Sequence, residues 1–207
     1  MKKYELTAEF IEKWGKKLFR IKALISFGSV EVGELGGYVE KEDNLAQDGD
    51  AWVSGNAWVC GNARVYGNAR VSGDAWVYGD AEVYGDAEVY GNARVCGNAW
   101  VYGDAEVCGD AWVYGDAEVY GNADYLLIGR IGSRFSFTTF FKNKDKGITV
   151  SCGCFLGTIA EFRAKVTDTH GNNKHAKMYN LAADMAELQI LGEEHFDELN
   201  TNKSELF

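Results

Sequence analysis

From Gly49 a glycine returns every six residues, through Gly55, Gly61 and Gly67 to Gly121, and each unit reads Gly-(Asn/Asp)-Ala-x-Val-y. Twelve consecutive units, Gly49 to Tyr120, keep both the Ala and the Val, and a thirteenth fades at Gly121-Asn122-Ala123-Asp124-Tyr125. So strict a period marks a repeat architecture. Ala-x-Val is a short strand, with Ala and Val facing one side and x the other. The y-Gly-(Asn/Asp) stretch supplies a corner, because Gly and Asn tolerate positive φ. Three corners close a triangle, so 18 residues make one coil and twelve units make four, stacked about 4.8 Å apart. Val fills the interior, with Ala where the cross-section is tight. Each buried Val contributes about 1.5–3 kcal/mol before chain entropy is set against it.

The spacing of Val53 to Ala57 and of Val59 to Ala63 resembles the hexapeptide-repeat, left-handed β-helix family, in which an aliphatic residue is followed four positions later by a small one. The resemblance implies the left hand; the period alone does not. The expected fold is mainly β: a parallel, left-handed β-helix of about four coils over residues 49–124, an N-terminal α/β cap over 1–48 and a small α+β domain over 125–207.

The formal net charge of −10 sits on the repeat, where seven Asp and four Glu face three Arg, a net of −8. A surface so poor in Lys and Arg is not expected to bind nucleic-acid phosphates directly. Met1-Lys2-Lys3-Tyr4-Glu5 leads into no apolar segment, and no run of 18 apolar residues occurs. The chain is therefore expected to be soluble, unexported and cytoplasmic, with no membrane partner. The five Cys fit a reducing compartment, since Cys60, Cys96 and Cys108 stand where other repeats carry Tyr or Ser.

Residues 18 apart stack, so the outward columns can be read directly. One x column is Trp58, Trp76, Arg94, Trp112, and one corner column is Tyr66, Tyr84, Tyr102, Tyr120. Stacked tyrosines stabilise neighbouring coils. Three Trp and an Arg on one flat face form an apolar stripe of the kind that marks an interface. Trp58, Trp76, Arg94 and Trp112 are the expected self-association contact, and the resemblance implies a homotrimer. The Asp and Glu columns are expected to be a solvated face; imitation of a phosphate track is the alternative.

Hexapeptide acyltransferases place a His near the helix, because general-base chemistry needs such a group within reach of the substrate. The repeat has no His and no projecting loop; His170, His175 and His195 all follow it. The three-His metal site of the gamma-class carbonic anhydrases is therefore not expected here. The chain reads as non-enzymatic, with no cofactor and no metal.

In the N-terminal flank, Thr7 could cap a helix whose apolar residues are Phe10, Ile11, Trp14, Leu18 and Phe19. Arg20–Ile25 alternates as a strand, and degenerate repeats at Gly37-Tyr38-Val39 and Asn44-Leu45-Ala46 lead into the helix. The flank is expected to close the open coil end. After Leu126, strands are expected at Tyr125–Arg130, Phe135–Phe141 and Ile148–Phe155, with a turn at Lys144–Gly147. Thr158-Ile159-Ala160-Glu161 is a capping box opening a helix to His170, and a second helix runs from Asn173 to Leu191.

Arg20–Leu24, Gly33–Glu40, Ile131–Arg134, Thr138–Phe141, Cys152–Phe155 and His170–Asn173 are similar to hexapeptide-repeat proteins carried by phages and prophages of gut bacteria. That resemblance spans the whole chain and lends no activity. It implies an origin in a phage-infected bacterium.

The candidate ligand-binding residues are Ser133, Arg134, Thr138, Thr139 and His170. Gly132-Ser133-Arg134 offers backbone donors and a guanidinium suited to an anion such as a nucleotide. Cys152-x-Cys154 fits alternate strand positions better than a metal half-site. The expected function is a phage-type binding protein in which a trimeric helix displays C-terminal domains that capture a host molecule or protein. Antagonism of host defence is its sharpest form. A virion spacer, an acidic nucleic-acid mimic and an acyltransferase are the alternatives.

Overall fold

The computed structural model describes residues 1–193, so His195 lies outside the described residues. The chain divides into two compact units, Met1–Asn122 and the residues from Ala123 onward. Among the described residues, no helix is long and apolar enough to cross a membrane.

The first unit opens with strands β1 (Tyr4–Lys13), β2 (Lys16–Ala23) and β3 (Leu35–Val39). Twelve two-residue x-Val strands follow: β4 (Trp52–Val53), β5 (Trp58–Val59), β6 (Arg64–Val65), β7 (Arg70–Val71), β8 (Trp76–Val77), β9 (Glu82–Val83), β10 (Glu88–Val89), β11 (Arg94–Val95), β12 (Trp100–Val101), β13 (Glu106–Val107), β14 (Trp112–Val113) and β15 (Glu118–Val119). They stack into three parallel sheets, β3-β5-β8-β11-β14, β4-β7-β10-β13 and β6-β9-β12-β15. Among the twelve x-Val strands each partner lies 18 residues on, as in Trp58 opposite Trp76. Every Ala and Val of the repeat is fully buried. Corner glycines hold φ between 64 and 78°. A Cβ at Gly73 would come within 3.0 Å of the Gly91 backbone nitrogen in the next coil, so the corner needs glycine for space as well as for φ.

The solenoid has about five turns rather than four. Tyr38 pairs with Trp58 and Leu45 with Val65, so both degenerate repeats belong to the stack. Their partners lie 20 residues on, an extra two residues that hide this coil from a search for period six. Gly36 and Gly37 allow the entry, since a Cβ at Gly37 would meet the Ala57 carbonyl oxygen.

The expected N-terminal helix is instead a hairpin. β1 and β2 pair antiparallel across Trp14 and Gly15, both at positive φ, as a two-residue hairpin loop requires. Phe10 faces Phe19 and Ile11 faces Leu18, so the apolar residues that mimic helical spacing are cross-strand pairs. The Thr7 hydroxyl accepts from the Glu9 amide at a break in the pairing, not from a helix start.

The first coil's edge is closed by side chains. The Lys3 ammonium donates to the carbonyls of Asp48, Gly49 and Ala51 at 3.2, 3.2 and 2.9 Å. Tyr4 Oη donates to Glu42 and Leu45, and the buried Asn44 amide to Gly61 and Ala63. These bonds satisfy carbonyls that would otherwise lie open at a buried edge.

Burial and the nearby Glu42 carboxylate push the Tyr4 phenol above the ordinary tyrosine range, and burial and the Glu82 carboxylate do the same at Tyr66. An unfolded chain ionises tyrosine near pH 10, while the folded chain keeps these protons. Their contribution is therefore fully present below about pH 10 and is lost as pH rises above it. In a pH titration, the tyrosinate absorbance that a Tyr4→Phe, Tyr66→Phe variant lacks is expected to rise together with loss of the β signal. A gradual rise that precedes unfolding would contradict this.

The second unit is an antiparallel meander, β16 (Tyr125–Ile131), β17 (Ser136–Lys142), β18 (Ile148–Cys152) and β19 (Phe155–Thr158), followed by α1 (Ile159–His170) and α2 (Lys174–Leu191). The third expected strand is divided in two by a reversal at Gly153-Cys154, where Gly153 has φ 61°. The Thr158–Glu161 capping box opens α1, and Asn173 caps α2. Phe140, Val150, Phe162, Val166, Ala183 and Ala186 form the centre of the core.

Candidate functional site

The second unit contains a cavity of about 210 Å³ between its sheet and α1. Its floor is apolar and closed: Phe162, Val166 and Tyr179 are 3%, 4% and 6% exposed. Phe155 and His170 form walls, with Phe155 5.6 Å from Phe162 and His170 5.8 Å from Tyr179 between ring centroids. The mouth carries Ser133, Arg134, Lys165 and Thr169. No Asp or Glu among the described residues lines it, although the chain has 31 acidic residues.

Local folding explains who meets whom. Ser133 and Arg134 sit on the β16–β17 reversal, held there by Gly132 at φ 73°. A Cβ at Gly132 would overlap the Tyr179 hydroxyl, so glycine lets the reversal settle onto α2. Phe162, Lys165, Val166 and Thr169 follow helical spacing along α1, and His170 ends it. Burial, then the Cys152 thiol at its hydroxyl, push the Tyr179 phenol up to about 12, against the lowering pull of Arg134. Tyr179 is therefore neutral at physiological pH.

The structure thus brings Ser133, Arg134 and His170 together, with Cys152 and Cys154. Thr138 and Thr139 are elsewhere. They lie in the inner strand β17, 1% and 2% exposed, and do not line the cavity. Thr138 Oγ1 donates to Cys152 Sγ at 3.2 Å, so its place is behind the wall. Among the described residues, no group of three His, Cys, Asp or Glu side chains is placed to hold a metal ion. Tyr179, Phe162, Phe155 and Lys165 were not anticipated. The capping box at Thr158 was the available signal, since it fixes which α1 residues share a face.

On the solenoid, the Trp–Arg column stays in register but is not uniformly open. Trp58 is 2% exposed, covered by Trp14 at 4.9 Å and packed with Leu18 and Tyr38. Trp76 and Trp112 are half-buried, with the Arg94 guanidinium 4.1 and 5.7 Å from their ring centroids. Trp52 is covered in the same way by Tyr4 and Phe27. The Tyr66, Tyr84 and Tyr102 rings stack at 4.9 and 5.0 Å. At the corners the Asn56, Asn62, Asn68, Asn92 and Asn98 amides each donate to an Asp one coil on, at 3.0–3.1 Å. These bonds orient carboxylates that a bare charge count leaves free. A further apolar stripe lies on α2, where Met178, Leu181, Met185 and Leu188 are 39%, 63%, 57% and 45% exposed at helical spacing.

The family model described as the YdcK beta-solenoid repeat matches residues 63–79 and 87–103. With the five-turn stack, this similarity supports a repeat β-helix family. No curated protein matches the chain.

Proposed function

We propose that this chain is a non-enzymatic binding protein whose solenoid is a rigid scaffold and whose second unit captures an anionic molecule. The observation that carries the reading is the cavity, which pairs an apolar floor with two cations and, among the described residues, no carboxylate, in a chain of net charge −10. Convergent polar groups over an apolar lining are what a ligand site requires. We propose further that this capture happens in an infected bacterium, with a host molecule or host protein as the target and defence antagonism as the sharpest form; the resemblance to phage and prophage proteins is what suggests it.

Self-association, as a trimer, is part of the proposal. The open part of the Trp column (Trp76, Arg94, Trp112) and the α2 stripe are two apolar surfaces that could serve it. Native mass spectrometry of the full-length protein tests both parts. A trimer that releases a stoichiometric anion on denaturation is expected. W112E dissociates the trimer if the Trp column is the contact, and M185E does so if α2 is. A monomer at micromolar concentration overturns the assembly proposal.

A further inference from the structure

The cavity's dimensions and lining narrow the class of molecule it takes. Its volume of about 210 Å³ equals roughly seven waters at about 30 Å³ each. Sites for drug-sized ligands start near 300 Å³. A dinucleotide, or any ligand with fused or multiple aromatic rings, would stay largely outside.

The floor and the mouth have different chemistry. Phe162 stands edge-on to both Tyr179 and Phe140, with interplanar angles of 89°. Such edge-to-face packing locks the floor rings in place and leaves a firm apolar surface that favours a flat ring. His170 and Phe155 stand on the sides as further ring faces. Arg134 and Lys165 are exposed at the mouth, with the Ser133 and Thr169 hydroxyls beside them. Lys165 pairs with Asp168 at 3.3 Å, but both side chains are more than half exposed, so an incoming anion can displace that pair. Gly153 lies beside the Arg134 guanidinium, since a Cβ there would stand 3.7 Å from its Nη1; the bare backbone leaves the fork room to turn toward a ligand.

We propose that the cavity binds a single planar aromatic ring bearing one anionic group, with the ring on Phe162, Val166 and Tyr179 and the anion on Arg134 and Lys165. This rests on the binding-protein reading above and specifies its ligand. An aromatic carboxylate and a pyrimidine mononucleotide share this chemistry. The Tyr179 phenol, engaged with Cys152, stays neutral and does not repel the anion.

Calorimetric titration of the full-length protein with four probes tests the proposal: benzoate, uridine monophosphate, inorganic phosphate and benzyl alcohol. At least one ring-bearing anion is expected to bind about tenfold or more tightly than phosphate and than benzyl alcohol, because ring burial and a charge-assisted bond then act together. Which of the two binds tighter separates the carboxylate source from the nucleotide source. Arg134→Ala and, separately, Lys165→Ala are both exposed and should fold normally. Each is expected to weaken that anion, Arg134→Ala by about tenfold, and neither is expected to weaken benzyl alcohol. If phosphate binds as tightly as both ring-bearing anions, the site reads charge alone. The ring proposal then falls while anion capture stands. If benzyl alcohol matches both ring-bearing anions, the anion is irrelevant and the proposal falls. If no probe binds, the ligand class and the binding-protein reading fall together.

Discussion

Replacing Lys3 by Met is expected to lower the stability of the first unit by about 3 kcal/mol, because it removes the donor from the buried Ala51 carbonyl and the part-buried carbonyls of Asp48 and Gly49, a buried acceptor left alone costing about 1–3 kcal/mol. The ammonium reaches Asp48, Gly49 and Ala51 on the first coil, and the residue is 2% exposed. Met keeps the apolar stem, so the loss reports the donor rather than packing. The gross penalty is partly offset because a charge is no longer buried. Burial lowers the Lys3 pKa to about 8, while Asp48 and Asp50 pull it upward. An unfolded lysine titrates near 10.4. Between those values the unfolded chain holds more protons, so stability from this group is fully present above about 10.4 and is lost as pH falls through about 8. Urea denaturation followed by tryptophan fluorescence is therefore expected to show a gap between wild type and Lys3→Met that widens from about pH 7 to about pH 9.5, below the range where tyrosine ionisation intervenes. A gap that is absent at both values would show that the first coil needs no donor there.

The solenoid was legible because its information is local and repeated. A glycine corner and an Ala-x-Val strand recur without a break, and register follows from the count of 18. The first coil was not, because Tyr38 and Leu45 pair 20 residues on. The hairpin was misread for a different reason. Phe10, Ile11, Trp14, Leu18 and Phe19 are spaced alike in a helix and in a tight two-stranded hairpin, and the choice turns on a two-residue loop containing Trp14 at positive φ. Columns of outward residues could be predicted, but not what folds over them: Trp58 is covered by Trp14, more than forty positions earlier.

The candidate site was half legible. Ser133, Arg134 and His170 sit where polar residues flank turns and helix ends, and such positions read from sequence as functional. Thr138 and Thr139 read the same way by type, yet their strand is one of the two inner strands of the meander and buries both. Phe162 and Tyr179 were invisible as site residues because an aromatic at helical spacing reads as core, and both are core residues as well as floor.

The second unit has one polar element whose loss should reach the site itself. Arg163 on α1 donates to Asp184 at 2.7 Å and to Glu187 at 2.8 Å on α2, and to Asn180 at 3.3 and 3.4 Å. The Glu187 side chain is only 7% exposed. Arg163→Met leaves that carboxylate buried and unpaired, a change that costs about 3–5 kcal/mol in a dry interior. Asp184 is 36% exposed, which places the expected loss near the lower end, about 3 kcal/mol. α1 and α2 together carry Phe162, Lys165, His170 and Tyr179, so ligand binding should disappear with their packing. The solenoid has its own core, so denaturation should separate into two steps, the earlier one belonging to the second unit. The double variant Arg163→Met, Glu187→Met removes the stranded charge as well and is expected to recover most of the loss. If the single variant unfolds with the double, the pair contributes packing alone; if the solenoid transition moves with it, the two units do not unfold independently.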